Sequence, residues 1–532
     1  MRSEDKPETY PHTSSKNSDH DTSRGQNIVT AAKGSGIIFA GQLFEYASRF
    51  LFGLVLARSI GAEGYGLYNL GDTLASTLSL FALLGLPSGV VRFLPSALRE
   101  GDEDRVWCIL QVAIALVGAF SLVLAVGAFG LSDWIARQLF QEPAAVPVLR
   151  LASIWAPLTA VGLVLAAVTR CFKRMEYQVY ANSIAFNVSR IALTALALGL
   201  GLGVSGVFVA NAVAGAITVG LLVYFLNRLF PLRRPLRTAR RNTRQLLSFS
   251  LPLFLTQVIR QLRSQIELLI LGIVGTVVSV GVYGAALRIQ MVGTALLFAV
   301  QTAASPIIAD LHHQGNQAQL RRLYRTLTKW AFSFNLPFFL TTILFAEPIL
   351  AIFGREFTTG TPVLVIAALG TLIDAATGIC SVIINMTGHS RLSFYNAAAS
   401  LILRVALDVL LIRAWGMVGA AVATGLVVFI MGVVLLLEVR WVLGSWPYDL
   451  TFFKSVAAGF VALIVGLVMT RLAPPGLNLF YLVLDVGLLW LSYAGVTLLL
   501  RLSEEDQMVV DRIKRQFGAK LRQIRMPSEL LS

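Results

Sequence analysis

Runs of about 20 apolar residues recur fourteen times along this chain, and that recurrence limits the possible folds more than any motif does. At 1.5 Å per residue, a helix of this length crosses a hydrocarbon core of roughly 30 Å. Inside a bilayer every backbone N–H and C=O must be satisfied by the protein, so only helices and closed barrels span it. The alternating ten-residue segments of a barrel do not appear. The runs lie at 34–56, 68–94, 106–130, 150–170, 180–200, 205–227, 246–272, 281–308, 326–346, 361–386, 393–412, 417–437, 455–473 and 478–500. Only 14% of the residues are charged and the mean hydropathy is +0.71, whereas soluble domains carry about a quarter charged residues.

An even number of spans places both termini on one side. Cytoplasmic loops collect Lys and Arg, and with the termini inside, 31 of the 44 basic residues fall in inner loops and tails. Six fall in outer loops: Arg58, Arg137, Arg150, Arg355, Arg413 and Arg471. The net charge of +15 is thus a consequence of topology, and no nucleic-acid partner is needed to explain it. The first 30 residues are polar and are expected to form an unstructured cytoplasmic tail. Residues 228–245 read as a basic cytoplasmic linker, whose charge also suits anionic membrane lipids. The tail 502–532 opens on a Ser503 to Asp506 capping box and spaces Val509, Ile513, Phe517 and Leu521 four apart, an interfacial amphipathic pattern.

The chain also repeats itself at an offset of about 214 residues. Gly66 and Tyr68 meet Gly281 and Tyr283, Gly101 and Asp102 meet Gly315 and Asn316, Arg190 meets Arg404, and "GVSGVFVA" meets "GMVGAAVA". Six helices separate the copies, so both have the same orientation. The expected fold is all-α and integral to the membrane. Two parallel six-helix bundles, 31–227 and 246–441, are related by a pseudo-twofold axis along the membrane normal, with two further helices at 455–501.

Charges inside the spans mark candidate sites. In "QVIRQLRSQIELLILG" (257–272), Arg260, Arg263 and Glu267 share one helical face with Gln257 and Ser264. Each central charge costs roughly 2.5–3.5 kcal/mol to insert, so the stripe must face protein or water. The first span repeats the pattern with Gln42, Glu45 and Arg49, while Asp72 and Arg288 lie near the starts of the second and eighth. Arg49, Arg260, Arg263 and Arg288, with Gln42 and Gln257, are the candidate substrate residues, because guanidinium forks suit phosphate oxygens. Glu45, Asp72 and Glu267 are candidate proton or sodium sites. A plainer reading has these charges neutralise one another, with Arg404 and Asp408 a structural pair at i,i+4.

No phosphate-binding G-x-x-x-x-G-K-[ST] loop, no G-x-S-x-G nucleophile motif and no metal-ligand spacing is present, so neither an enzyme nor a cofactor is expected. Cys108, Cys171 and Cys380 read as packing residues. Sequons at Asn187 and Asn385 fall in spans and read as incidental. "GLGLGVSG" (199–206) reads as a tight helical hairpin.

The stretch from Leu56 to Pro95 carries a family resemblance. Leu56, Ala57, Arg58, Gly61, Tyr65, Gly66 and Tyr68, followed by Gly85, Leu86, Arg92 and Phe93, resemble the first hairpin of the polysaccharide transporters, or oligosaccharide flippases. That superfamily includes the multidrug extrusion antiporters and the lipid II flippases. The resemblance implies a prokaryotic plasma-membrane flippase. Such a protein carries a polyprenyl-diphosphate-linked oligosaccharide to the outer leaflet by alternating access and works beside glycosyltransferases or a glycan polymerase. The alternatives are a cation-coupled multidrug antiporter, a lipid II flippase and a scaffold that transports nothing.

Overall fold

The structure is a computed structural model that describes residues 15–172, 174–231, 240–472, 479–500 and 506–507. Among these residues everything regular is helical. The chain opens with α1 (Ser15–Leu83) and α2 (Leu86–Glu100), then α3 (Glu103–Trp134), α4 (Ala145–Cys171), the short α5 (Met175–Gln178), α6 (Phe186–Gly199) and α7 (Gly203–Leu229). It continues through α8 (Arg240–Val274), α9 (Val277–His313), α10 (Gln317–Ala351), α11 (Thr361–Thr377), α12 (Cys380–Met386), α13 (Ser390–Leu443), α14 (Leu450–Leu472) and α15 (Leu479–Leu499). By length and apolar composition, ten helices can cross a membrane, or eleven with the bent pair formed by Phe44–Leu83 and α2. The protein is a multi-pass membrane protein.

Two of the helices are longer than any bilayer and are broken within. α1 breaks at Gly61, with φ 70° and ψ −177°, and α13 at Gly416, with φ 56° and ψ −134°. A side chain at such positive φ would be strained. At the first break the Ala62 N–H donates to Glu356 Oε1 at 2.8 Å, which ties the turn to a distant loop.

Two sequence expectations are corrected here. The apolar run 68–94 is not one straight helix: Leu84 and Gly85 both take positive φ, and α2 restarts with a 42° bend. Pro87 sits in the first turn of α2, where its missing N–H costs nothing. Helix α1 begins at Ser15, inside the stretch expected to be an unstructured tail; adding turns to an existing helix avoids the cost of nucleation. The Asp506 carboxylate accepts from Lys329 Nζ at 2.8 Å and from Trp330 Nε1 at 2.7 Å on α10. The expected linker core 232–239, Ser503 and the amphipathic stretch 509–525 lie outside the described residues.

The repeat recurs bond for bond in the loops. Gly101 and Gly315 have φ of 68° and 69°. The Asp102 N–H donates to the Ala97 carbonyl and the Asn316 N–H to the Leu311 carbonyl, both at 3.1 Å. The Asp102 side chain then caps Arg105 N at 2.9 Å, and that of Asn316 caps Gln319 N at 3.1 Å.

The repeat also organises the seam between α1 and α9. A Cβ on Gly66 would lie 1.9 Å from the Val277 carbonyl oxygen, and one on Gly281 would lie 1.9 Å from that of Ala62. The same 215 residues separate Ala62 from Val277 and Gly66 from Gly281, so the two contacts interchange as a local twofold axis requires. Gly284 faces Asn69, its own counterpart at that offset, so the axis passes between them. Tyr65, Tyr68, Phe208, Tyr283 and Phe357 fill the core around this seam. α14 and α15 pack on α10 through Phe332, Leu336, Phe452, Ala458, Leu489 and Tyr493.

Candidate functional site

The polar stripe of α8 changes environment along its length. Thr256, Arg260, Arg263 and Ser264 are exposed, and Gln257 is half-buried with its Nε2 donating to Ser88 Oγ on α2 at 3.2 Å. One turn further, Glu267 is only 5% exposed. Its Oε2 accepts from the Tyr283 hydroxyl and the Thr424 hydroxyl, each at 2.8 Å, and from Arg404 Nη2. The carboxylate is therefore held by groups on α9 and both segments of α13.

That arrangement adds a second partner to the expected i,i+4 pair of Arg404 with Asp408. Arg404 Nε lies 3.7 Å from Asp408 Oδ2, while its Nη2 sits on Glu267 and also donates to Thr424 Oγ1 at 2.7 Å. Glu267 lies on a different helix, α8, and reaches Nη2 rather than Nε. Asp408 is fully buried, and neither carboxylate oxygen has a hydrogen-bond partner.

Because Arg404 occupies Glu267, no carboxylate lies within ion-pair distance of Arg260 or Arg263 among the described residues. The charged groups that act on Arg263 are Arg404, Asp374 and Arg260. Asp374, on α11, is exposed and faces this cationic stripe. Sequence reading missed it; the only signal was one acid within the apolar run "VLVIAALGTLIDAATG".

On the other side of the seam, Arg49 pairs with Glu45 at 2.7 Å, and both remain partly exposed, at 52% and 33%. Asp72 and Arg288 are half-buried. Arg288 reaches from α9 toward α1, where Tyr65, Tyr68 and Asp72 are the groups that act on its charge. The Gln42 side chain lies outside the described residues. The structure thus gathers the candidates into two groups, Arg260 and Arg263 with Asp374 on one side, and Glu45, Arg49, Asp72 and Arg288 on the other.

Other candidates fall away from these groups. Asn187 of the first sequon is 2% exposed and its Oδ1 accepts from Arg190, so it presents no glycan acceptor. Cys380 packs with its Sγ 3.1 Å from the Tyr324 hydroxyl. Among the described residues no three His, Cys, Asp or Glu side chains gather to hold a metal ion.

Comparison with known proteins places this geometry in context. An uncharacterized membrane protein of Methanocaldococcus jannaschii is 23% identical over 77% of this chain and 99% of its own length. The probable flippase AglR of Haloferax volcanii is 22% identical over 75% of this chain and 81% of its own. The lipid II flippase MurJ, in an inward closed conformation, superposes with a TM-score of 0.70 at 14% identity, covering 86% of this chain and 97% of that one. A family model described as MatE matches residues 252–410. Another, described as polysaccharide biosynthesis protein, matches residues 31–312, more than half of the sequence, and the chain belongs to that family.

Proposed function

We propose that this protein is a flippase that moves a lipid-linked oligosaccharide, carried on a polyprenyl diphosphate, from the cytoplasmic to the outer leaflet of a prokaryotic plasma membrane. The observation that carries this reading is the exposed arginine pair of α8, which has no carboxylate within ion-pair distance among the described residues while Glu267 is held by Arg404. Guanidinium groups cannot face lipid without a large penalty, so the stripe bounds a water-filled space suited to phosphate oxygens. The curated flippase relative and the flippase-like fold support the same reading.

The architecture we infer has fourteen helices. Counting α1 and α13 as two spans each, on either side of Gly61 and Gly416, and adding α8, whose charges set it apart from the apolar helices, gives the fourteen apolar runs of the sequence. Twelve form two parallel six-helix bundles, and α14 and α15 stand outside them. With both termini cytoplasmic, the Gly66–Gly281 seam closes the outer end, and the sugar-diphosphate head enters from the cytoplasm while its tail stays in lipid. Alternation between this state and one opened at the seam moves the head across. Glu45, Asp72 and Glu267 are the acids available for coupling to an ion gradient, and glycosyltransferases or a polymerase consume the product.

Proteoliposomes loaded with a fluorescent lipid-linked oligosaccharide test the reading. Replacing Arg260, Arg263 and Arg288 together with Gln should slow its appearance in the outer leaflet by at least about tenfold, the usual consequence of losing one charge-assisted hydrogen bond. An unchanged rate removes the arginines from the path. Proton-driven export of a cationic dye with no lipid movement would instead establish the multidrug antiporter.

A further inference from the structure

The repeat aligns Arg190 of α6 with Arg404 of α13, and the structure shows that their environments have diverged. Each lies beside a repeat-related tyrosine, Tyr68 for Arg190 and Tyr283 for Arg404. The difference is at the next position. Where Arg404 rests on Glu267, Arg190 lies 4.0 Å from the ring centroid of Phe52, which the 215-residue offset makes the counterpart of Glu267. One guanidinium has a carboxylate and its twin has an aromatic face.

Arg190 is only 7% exposed. One of its nitrogens donates to Asn187 Oδ1 at 3.1 Å, a second ring, Phe186, lies 5.1 Å away, and Nε has no hydrogen-bond partner. No carboxylate lies within ion-pair distance of it among the described residues; Asp72 acts on it only at longer range, together with the like charges of Arg49 and Arg288. Since Glu45 is taken up by Arg49, two guanidinium groups, Arg190 and Arg288, share one remaining acid, Asp72. A buried arginine left in this condition is suited to an anion: the Phe52 ring orients the fork and leaves its buried Nε without a partner.

We propose that Arg190 is a ligand-binding residue, and that its unpaired edge, with Arg288, holds a phosphoryl oxygen of the substrate's diphosphate at a subsite separate from the α8 stripe. This assignment rests on the flippase reading and adds a residue on the opposite side of the seam. The counterpart Arg404, neutralised by Glu267, is assigned no such role, so the repeat carries one anion receptor and one internal ion pair at equivalent places.

Binding of a short-chain polyprenyl diphosphate to the full-length protein in nanodiscs, measured by calorimetry alongside thermal unfolding, tests the proposal. Arg190→Gln should weaken binding about tenfold or more. Arg190→Lys keeps the charge over Phe52 but loses the fork, and should weaken it less. Phe52→Glu copies the partner found at Glu267, and should abolish the Arg190 contribution while thermal stability is kept. Wild-type affinity in Arg190→Lys and Phe52→Glu, with loss only in Arg260→Gln and Arg263→Gln, overturns the Arg190 assignment and leaves the flippase reading standing. Failure of the wild-type protein to bind the probe overturns both. An equal loss for phosphatidylglycerol supplied in the nanodisc assigns the site to a lipid headgroup and overturns the substrate subsite.

Discussion

Glu267 shows how one side chain can be read from sequence as unusual while its partners stay out of view. Its carboxylate receives Tyr283, Thr424 and Arg404, and removing it leaves Arg404 buried with the more distant Asp408 as its one carboxylate among the described residues. Glu267→Ala should therefore lower stability by about 3–5 kcal/mol, the usual cost of breaking a buried pair from one side. Replacing both Glu267 and Arg404 with Met should recover much of that, as apolar substitutes for a buried pair often do; thermal unfolding followed by tryptophan fluorescence measures both. Equal stability of Glu267→Ala and wild type would show that the pair does not hold the helices together. The stripe on α8 was legible because helical spacing fixes which residues share a face. The partner was not, since Arg404 is 137 residues away and only tertiary packing brings it there. Asp374 was overlooked for the same reason: its importance comes from Arg263, on another helix.

Among the elements, the seam between α1 and α9 makes the sharpest demand on sequence. A Cβ at Gly66 or Gly281 would meet a backbone carbonyl, which cannot rotate away as a side chain can. Gly66→Leu and Gly281→Leu should each force the helices apart and stop outer-leaflet delivery in proteoliposomes, while far-UV circular dichroism stays that of the helical wild type. Transport at the wild-type rate in either variant would show that this close approach is dispensable. Helix positions were largely readable, because an apolar run is a direct consequence of spanning lipid. Their interruptions were less so. The run "LSLFALLGLPSG" stays apolar across the turn at Leu84 and Gly85, so hydropathy carries no mark of the bend, although Gly85 and Pro87 are the residues such a turn uses.

For the whole molecule, the decisive prediction concerns sidedness. In a chain whose Cys108, Cys171 and Cys380 have been replaced with Ala, Glu63→Cys should react with an impermeant maleimide on intact cells. Asp102→Cys and Asn316→Cys should react only after permeabilisation, and the opposite pattern would invert the topology and with it the direction of transport. The internal repeat was visible in sequence at four places, yet its strongest expression, the interchange of the Gly66 and Gly281 contacts, involves backbone oxygens that no sequence comparison displays. Asn69 and Gly284 carry this further. A Cβ at position 284 would lie 2.3 Å from Asn69 Nδ2, so asparagine on one side of the axis requires glycine on the other. A dimer of identical subunits would have to place the same residue at both points, either two asparagines in collision or two glycines with a gap. Joining both copies in one polypeptide lifts that obligation, and the freedom to differ across the axis is what lets Phe52 and Glu267 surround matching arginines with unlike chemistry.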